Sequence, residues 1–184
     1  MVAENNLVWL ALQVKPRSEK LIATALSSKG IEPFLPLYTT RRRWSDRIKE
    51  VQLPLFDGYV FCKVDLRYRL PALTIPGVIQ FVGIGKTPEP IEEHELADLQ
   101  AVVRSGLPSM PWPFLKIGQR VRVEHGPLRD MEGILLQTKG SHRLVLSVSL
   151  LQRSVAVEVD RDCITPVNSQ RRSVKSAVLA TSSF

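Results

Sequence analysis

The sequence has little of what catalysis or export would need. It holds only two cysteines and three histidines in 184 residues. Cys62 and Cys163 lie far apart in strand-like contexts, so they read as buried thiols in a reducing compartment, not as a disulfide or a metal pair. His94, His125 and His142 have no Cys or carboxylate near them at ligand spacing and read as solvated surface side chains. No metal and no cofactor are expected. Long apolar runs are also missing. The first, Leu7 to Leu12, is stopped by Gln13 and is preceded by Glu4 with no Lys or Arg, which is not a signal peptide. Nothing approaches the roughly 20 apolar residues that cross a bilayer. A cytoplasmic protein without a membrane partner is expected.

Two stretches imitate chemistry without supplying it. "PIEEHEL" offers Glu92, Glu93 and Glu95, but acids in the first turn of a helix are what its dipole favours. "GIGK" (83–86) is followed by Thr-Pro-Glu-Pro, whereas a phosphate loop must run into a helix N-terminus. With no constellation for acid-base or nucleophilic work, the chain is not expected to be an enzyme.

What is abundant is positive charge. The excess of 25 Lys and Arg over 18 Asp and Glu gives +7 and a pI near 9.7, which favours a polyanionic partner. The cations are clustered. "TTRRRWSDRIKE" (39–50) carries Arg41, Arg42, Arg43, Arg47 and Lys49 around Trp44. Phosphate contact with an aromatic available for stacking is one reading, and a solvated hairpin tip is an equal one. Lys15 with Arg17, and Arg67, Tyr68 and Arg69, are smaller clusters of the same kind.

Periodicity gives the organisation. Residues 7–13 read as a buried strand, and Pro16 to Glu19 opens a helix with Leu21, Ile22, Ala25 and Leu26 on its apolar face and Gly30 as its stop. An extended segment (31–43) and the run "LFDGYVFCKV" (55–64) read as a hairpin with a long basic tip. A short helix over 67–75, a strand "VIQFVGI" (78–84) and a helix over 91–103 carrying Leu96, Leu99 and Val103 follow. This order implies an α+β, ferredoxin-like unit: an antiparallel sheet with helices on one face. It occupies residues 1–106. Three prolines make 107–113 a stiff linker. Short strands at regular spacing over 114–166 suit a small β-barrel. Residues 167–184 form a basic, Ser-rich tail that reads as disordered.

Within the barrel, "VRVEHGPLRDMEGIL" (121–135) is strand, tight loop, strand, with Gly126, Pro127 and Gly133 shaping the loop. Within the first unit, Leu55, Tyr59 and Phe61 share one parity and Phe56 has the other unless the Asp57-Gly58 bend resets it. An aromatic sheet face left uncovered by helices would be a partner surface.

From roughly Val8 to Val167 the chain resembles the NusG family of transcription elongation factors. Trp9 in the first strand, "LFDGYVF", "IPGVIQFVG", "PIEEHEL" and "GQRVRVEHGPLRDMEGIL" carry the resemblance, the last as a KOW motif in an SH3-like barrel. "KGIEPFLPLYTTRRRWSDR" and "SGLPSMPWPFLKIG" are similar to specialised antiterminator paralogues of the RfaH or UpxY kind. The resemblance implies a monomer that binds RNA polymerase at the β′ clamp helices, with the β gate loop as a further contact it allows, and that raises processivity. On matching positions the polymerase pocket falls on Phe56, Tyr59, Phe61, Phe81 and Ile84. Lys15, Arg17, Arg67 and Arg69 fall where the family meets non-template or upstream DNA. The KOW domain would recruit ribosomal protein S10 or Rho, although Leu151 replaces an aromatic often used there. The alternative reading is a KOW-containing RNA-binding or ribosome-associated protein, whose aromatic sheet face would stack bases. The β-branched Val145, Val148, Val155, Val157 and Val159 predict that the KOW unit stays a barrel instead of refolding as helices, which would leave the aromatic pocket accessible.

Overall fold

The structure, a computed structural model, describes residues 6–43, 47–85, 87–114, 118–138 and 141–167. Trp44 and the tail beyond Val167 lie outside the described residues.

The strand β1 (Leu7–Val14), read from its apolar run as a buried strand, faces two cores: Leu10, Leu12 and Val14 enter one, and Ala11 enters another on the opposite face. β5 (Tyr59–Asp65) pairs with it antiparallel and alternates in step, with Val60, Cys62 and Val64 on the first face and Phe61 on the second. β2 (Glu32–Phe34) and β6 (Val78–Phe81) complete an antiparallel sheet in the order β2-β5-β1-β6.

α1 (Glu19–Ser28) covers the first face with Ile22 and Leu26, one turn apart, and α2 (Leu70–Leu73) adds Ala72. Leu21, expected on the buried stripe, is 70% exposed. α3 (Glu93–Ser105) lies on the other face, where Leu96 and Leu99 pack with Ala11, Phe56 and Phe61. The helices therefore cover both faces of the sheet, not one. The residue completing the α3 stripe is Val102, 1% exposed, while Val103 is 39% exposed. Helical period alone would set Val103 nearer to Leu96 and Leu99 than Val102; Val102 is buried instead because its side of α3 meets a separate core in the C-terminal unit.

The basic hairpin also differs from the expectation. Only the start of the extended segment, β2, pairs with β5, whereas β3 (Leu37–Arg43) pairs with β4 (Ile48–Pro54), which begins within the expected basic tip. The short β7 (Gly83–Ile84) and β8 (Thr87–Pro88) form a second small hairpin.

The C-terminal sheet runs β14-β10-β11-β12-β13-β9. Its members are β10 (Gln119–Val123), β11 (Glu132–Thr138), β12 (Ser141–Val148), β13 (Arg153–Val159) and β14 (Ile164–Pro166), with β14 pairing back onto β10. Residues 107–113, expected as linker, supply β9 (Ser109–Pro113), which pairs along β13. Its two prolines are tolerated because β9 is an edge strand, where a missing N–H breaks no central ladder. Val121, Val123, Leu144, Leu146 and Val157 form the core of this unit, and Val102 of α3 enters it. α3 thus joins the aromatic-side core of the first unit to the core of the second. Gly133 is needed for close approach: a Cβ there would stand 2.7 Å from the Val145 carbonyl oxygen and 2.9 Å from Leu144 Cδ1. Gly126, at φ +90°, turns the loop between β10 and β11, closed by Asp130 N–H donating to the Val123 carbonyl at 2.7 Å.

Candidate interaction surface

The aromatic side chains gather at the bend before β5. Gly58 adopts φ +80°, and its N–H donates to Oε1 of Glu19 at 2.9 Å while its carbonyl accepts from Val14 N–H at 2.8 Å. This bend resets the strand parity, so Phe56 and Phe61 reach the same face, ring centroids 5.6 Å apart and nearly perpendicular. Phe34 from β2 lies 5.9 Å from Phe61, and Trp9 lies 6.4 Å from Phe34. Tyr59 packs at the edge of the cluster.

Of the five residues assigned to the pocket from sequence, the fold brings together Phe56, Tyr59 and Phe61. Phe81 sits opposite Leu12 on β1 and joins the other core, with Leu10 and Ile22. Ile84 stands 76% exposed in the β7–β8 hairpin. Their separation follows from strand alternation: Phe81 pairs with a residue whose side chain points to the α1 side of the sheet. The cluster gains Trp9, Phe34, Tyr38, Leu55 and Ile91, which the sequence alone does not assign to the site. Pro33 and Pro36 mask the alternation around Phe34 and Tyr38, but the parity of Trp9 with Ala11 is a signal that could have found it.

This face is not open. Phe56 and Phe61 are 1% and 0% exposed. The turn between β12 and β13 covers them: Val148, Leu151 and Val155 are buried in the same cluster, with Leu150 packed against it. Both carboxylate oxygens of Glu95 on α3 accept from Ser149 N–H, at 3.1 and 3.2 Å, and the Arg153 guanidinium lies 5.9 Å from the Tyr59 ring centroid. The expectation of an accessible pocket is therefore overturned, although the barrel strands themselves form. β13 is buried at Ser154, Val155, Ala156 and Val157 in succession, a pattern that a strand covered on both sides requires.

The cations fall into two groups. Arg41, Arg42, Arg43 and Arg47 are exposed on or beside the β3–β4 hairpin, Arg42 opposite Lys49 and Arg41 opposite Glu50, with which it forms an ion pair at 3.2 Å. Lys15 and Arg17 are exposed in the β1–α1 loop, Arg17 at φ +69°. Arg67 is engaged locally instead. Its Nη2 stands 2.7 Å from Oδ2 of Asp65, and this pairing holds the Asp65 carboxyl below the usual range and the Arg67 guanidinium above its own. Arg69 Nη1 donates to the Leu66 carbonyl at 2.8 Å. The last two are thus fixed by the turn that carries them.

A family model described as "Transcription termination factor nusG" matches residues 7–100. The "Transcription termination/antitermination protein NusG" of Helicobacter pylori is 28% identical over 173 residues, covering 82% of this chain and 93% of the relative. The protein of the same description from Escherichia coli K12 is 30% identical over 126 residues, 65% of this chain and 66% of the relative. A solved structure titled "Domain interaction in Thermotoga maritima NusG" covers 89% of this chain and 98% of its own with a TM-score of 0.56, at 17% identity. It supports the fold.

Proposed function

Because the chain belongs to the NusG family, we propose that it is a transcription elongation and antitermination factor that binds RNA polymerase through the face built on Phe56, Tyr59 and Phe61. The observation that carries this reading is the cover on that face. Aromatic side chains of one unit are shielded by an apolar turn of the next, not by the unit's own helices alone, which is how a surface with an alternative apolar partner is kept soluble. The β′ clamp helices are the partner this reading assigns to it. Binding that favours the processive conformation of the clamp needs only a difference in affinity between two states, with no chemical step. Lys15, Arg17 and the hairpin arginines would meet non-template or upstream DNA, and the C-terminal unit, with β9 as its edge strand, would when freed from the aromatic face recruit a further partner such as ribosomal protein S10 or Rho.

The test is binding to an isolated clamp-helix fragment, comparing the full chain with residues 1–106 alone. The shorter chain is expected to bind more tightly, and Tyr59→Ala to weaken it at least tenfold with native circular dichroism retained. Tyr59 is the residue to change, because it packs at the edge of the cluster. Phe61→Ala would also remove core packing worth about 3–5 kcal/mol. Full affinity in a folded Tyr59→Ala variant refutes the proposed contact.

A further inference from the structure

A second candidate surface lies at the opposite end of β1 from the Lys15–Arg17 loop. A cleft of about 400 Å³ is lined there by Leu7, Lys29, Lys63, Arg67, Tyr68 and Pro71 among others. Every lining residue comes from the first 71 positions, so the β12–β13 turn does not cover it. Its lining is apolar where solvent would favour polar groups: Tyr68 is 71% exposed and Leu7 41%. Three cations face one carboxylate, Asp65, and that carboxylate is already paired with Arg67. Lys29 is exposed, and Lys63 Nζ lies 6.0 Å from the Trp9 ring centroid.

We propose that this cleft docks an acidic protein segment that inserts an apolar side chain between Leu7 and Tyr68 and sets flanking carboxylates on Lys29 and Lys63. Charge complementarity selects acid over base, and so excludes the chain's own basic tail, whose Arg171, Arg172 and Lys175 come with no acid. Aliphatic walls select protein over nucleic acid. Leu7, Ile31 and Val64 offer nothing for a base to stack on, so Tyr68, with the Arg67 guanidinium 5.9 Å from its centroid, is the single aromatic ring of the lining. The cleft is open while the aromatic face is covered, so it can make first contact with a partner before the two units separate.

The experiment is a titration of the isotope-labelled full chain, followed by amide chemical shifts. The probes are a ten-residue peptide of Asp and Glu around a central Phe-Leu pair, the same peptide with Ser for its acids, and a single-stranded oligonucleotide. The acidic peptide is expected to shift Leu7, Lys29, Lys63 and Tyr68 selectively, with affinity falling at least tenfold in Lys29→Glu/Lys63→Glu and falling with added salt. Shifts at the cleft from the oligonucleotide but not the peptide overturn the proposal, as do equal affinities for the acidic and Ser peptides. A deletion of residues 1–5 is run alongside: binding that appears only after it would make the chain's own N-terminus the occupant and also overturn the proposal.

Discussion

Glu19 is 4% exposed, and its carboxylate holds the bend that brings Phe56 and Phe61 to one face. Removing the acceptor strands a buried Gly58 N–H, so Glu19→Ala is expected to lower unfolding free energy by about 1–3 kcal/mol. Urea denaturation reads this directly, and Glu19→Gln, which keeps an acceptor oxygen, should lose less. Asp98 acts in the opposite sense. Burial raises its pKa, so the fold disfavours its charged form and loses stability as pH rises through that raised value. Asp98→Asn is therefore expected to melt higher than the native chain at neutral pH. The advantage should vanish at a pH below the ordinary carboxylate range, where Asp98 is neutral folded or unfolded. For Asp65, held low by Arg67, the sign reverses: its contribution is present at neutral pH and is lost as pH falls through the depressed value. Cys62, wholly buried with its thiol pushed up to about 12, should resist alkylation until the chain unfolds.

At the scale of elements, the β3–β4 hairpin is the place where composition and structure meet. Its arginines project from a two-stranded ribbon whose tip-ward pairs, Arg42 with Lys49 and Arg43 with Ile48, bury almost nothing. Replacing Arg42, Arg43 and Arg47 by Ser is expected to weaken binding to duplex or displaced single strand. It should also flatten the salt dependence by about 0.9 in log-log slope for each duplex phosphate that the variant leaves unneutralised. An unchanged slope would leave the hairpin a solvated tip. The same ribbon shows why its pairing was not legible. Amphipathic alternation announces a strand only when one face is buried, and Ile48–Pro54 has exposed or half-buried residues throughout. β1, β5 and the central barrel strands were legible because each is a short apolar or β-branched run, buried at successive residues. β9 was hidden by its prolines, and Phe81 and Ile84, assigned with the pocket by the family resemblance, lie apart from the aromatic cluster, since matching a position along the chain does not say which face of a sheet it occupies.

For the whole molecule, the decisive feature is that one contact buries two surfaces. Phe56 and Phe61 are covered by Val148, Leu151 and Val155, and those residues are covered in return. Any partner of either surface must first separate them, and its apparent affinity falls by the fraction of chains that are open. A closure worth about 1.4 kcal/mol weakens binding tenfold. Leu151→Glu places a charge against the aromatic cluster, and Glu95→Ala removes the acceptor from Ser149 N–H. Both are expected to raise affinity for the clamp-helix fragment toward that of residues 1–106. The effect should be larger for Leu151→Glu, since burying an unpaired carboxylate is costlier than losing one exposed hydrogen bond. Chemical shifts of residues 141–159 should remain those of strands in both variants, because β12 and β13 pair with each other whether or not the face is covered. Linkage then requires that a protein gripping the freed β12–β13 turn tighten clamp binding by the same factor as clamp binding tightens its own grip. Equal clamp affinities for the full chain, the opened variants and residues 1–106 would show that the contact exerts no control. Helical shifts over 141–159 on opening would show that separation remodels the barrel instead of merely releasing it.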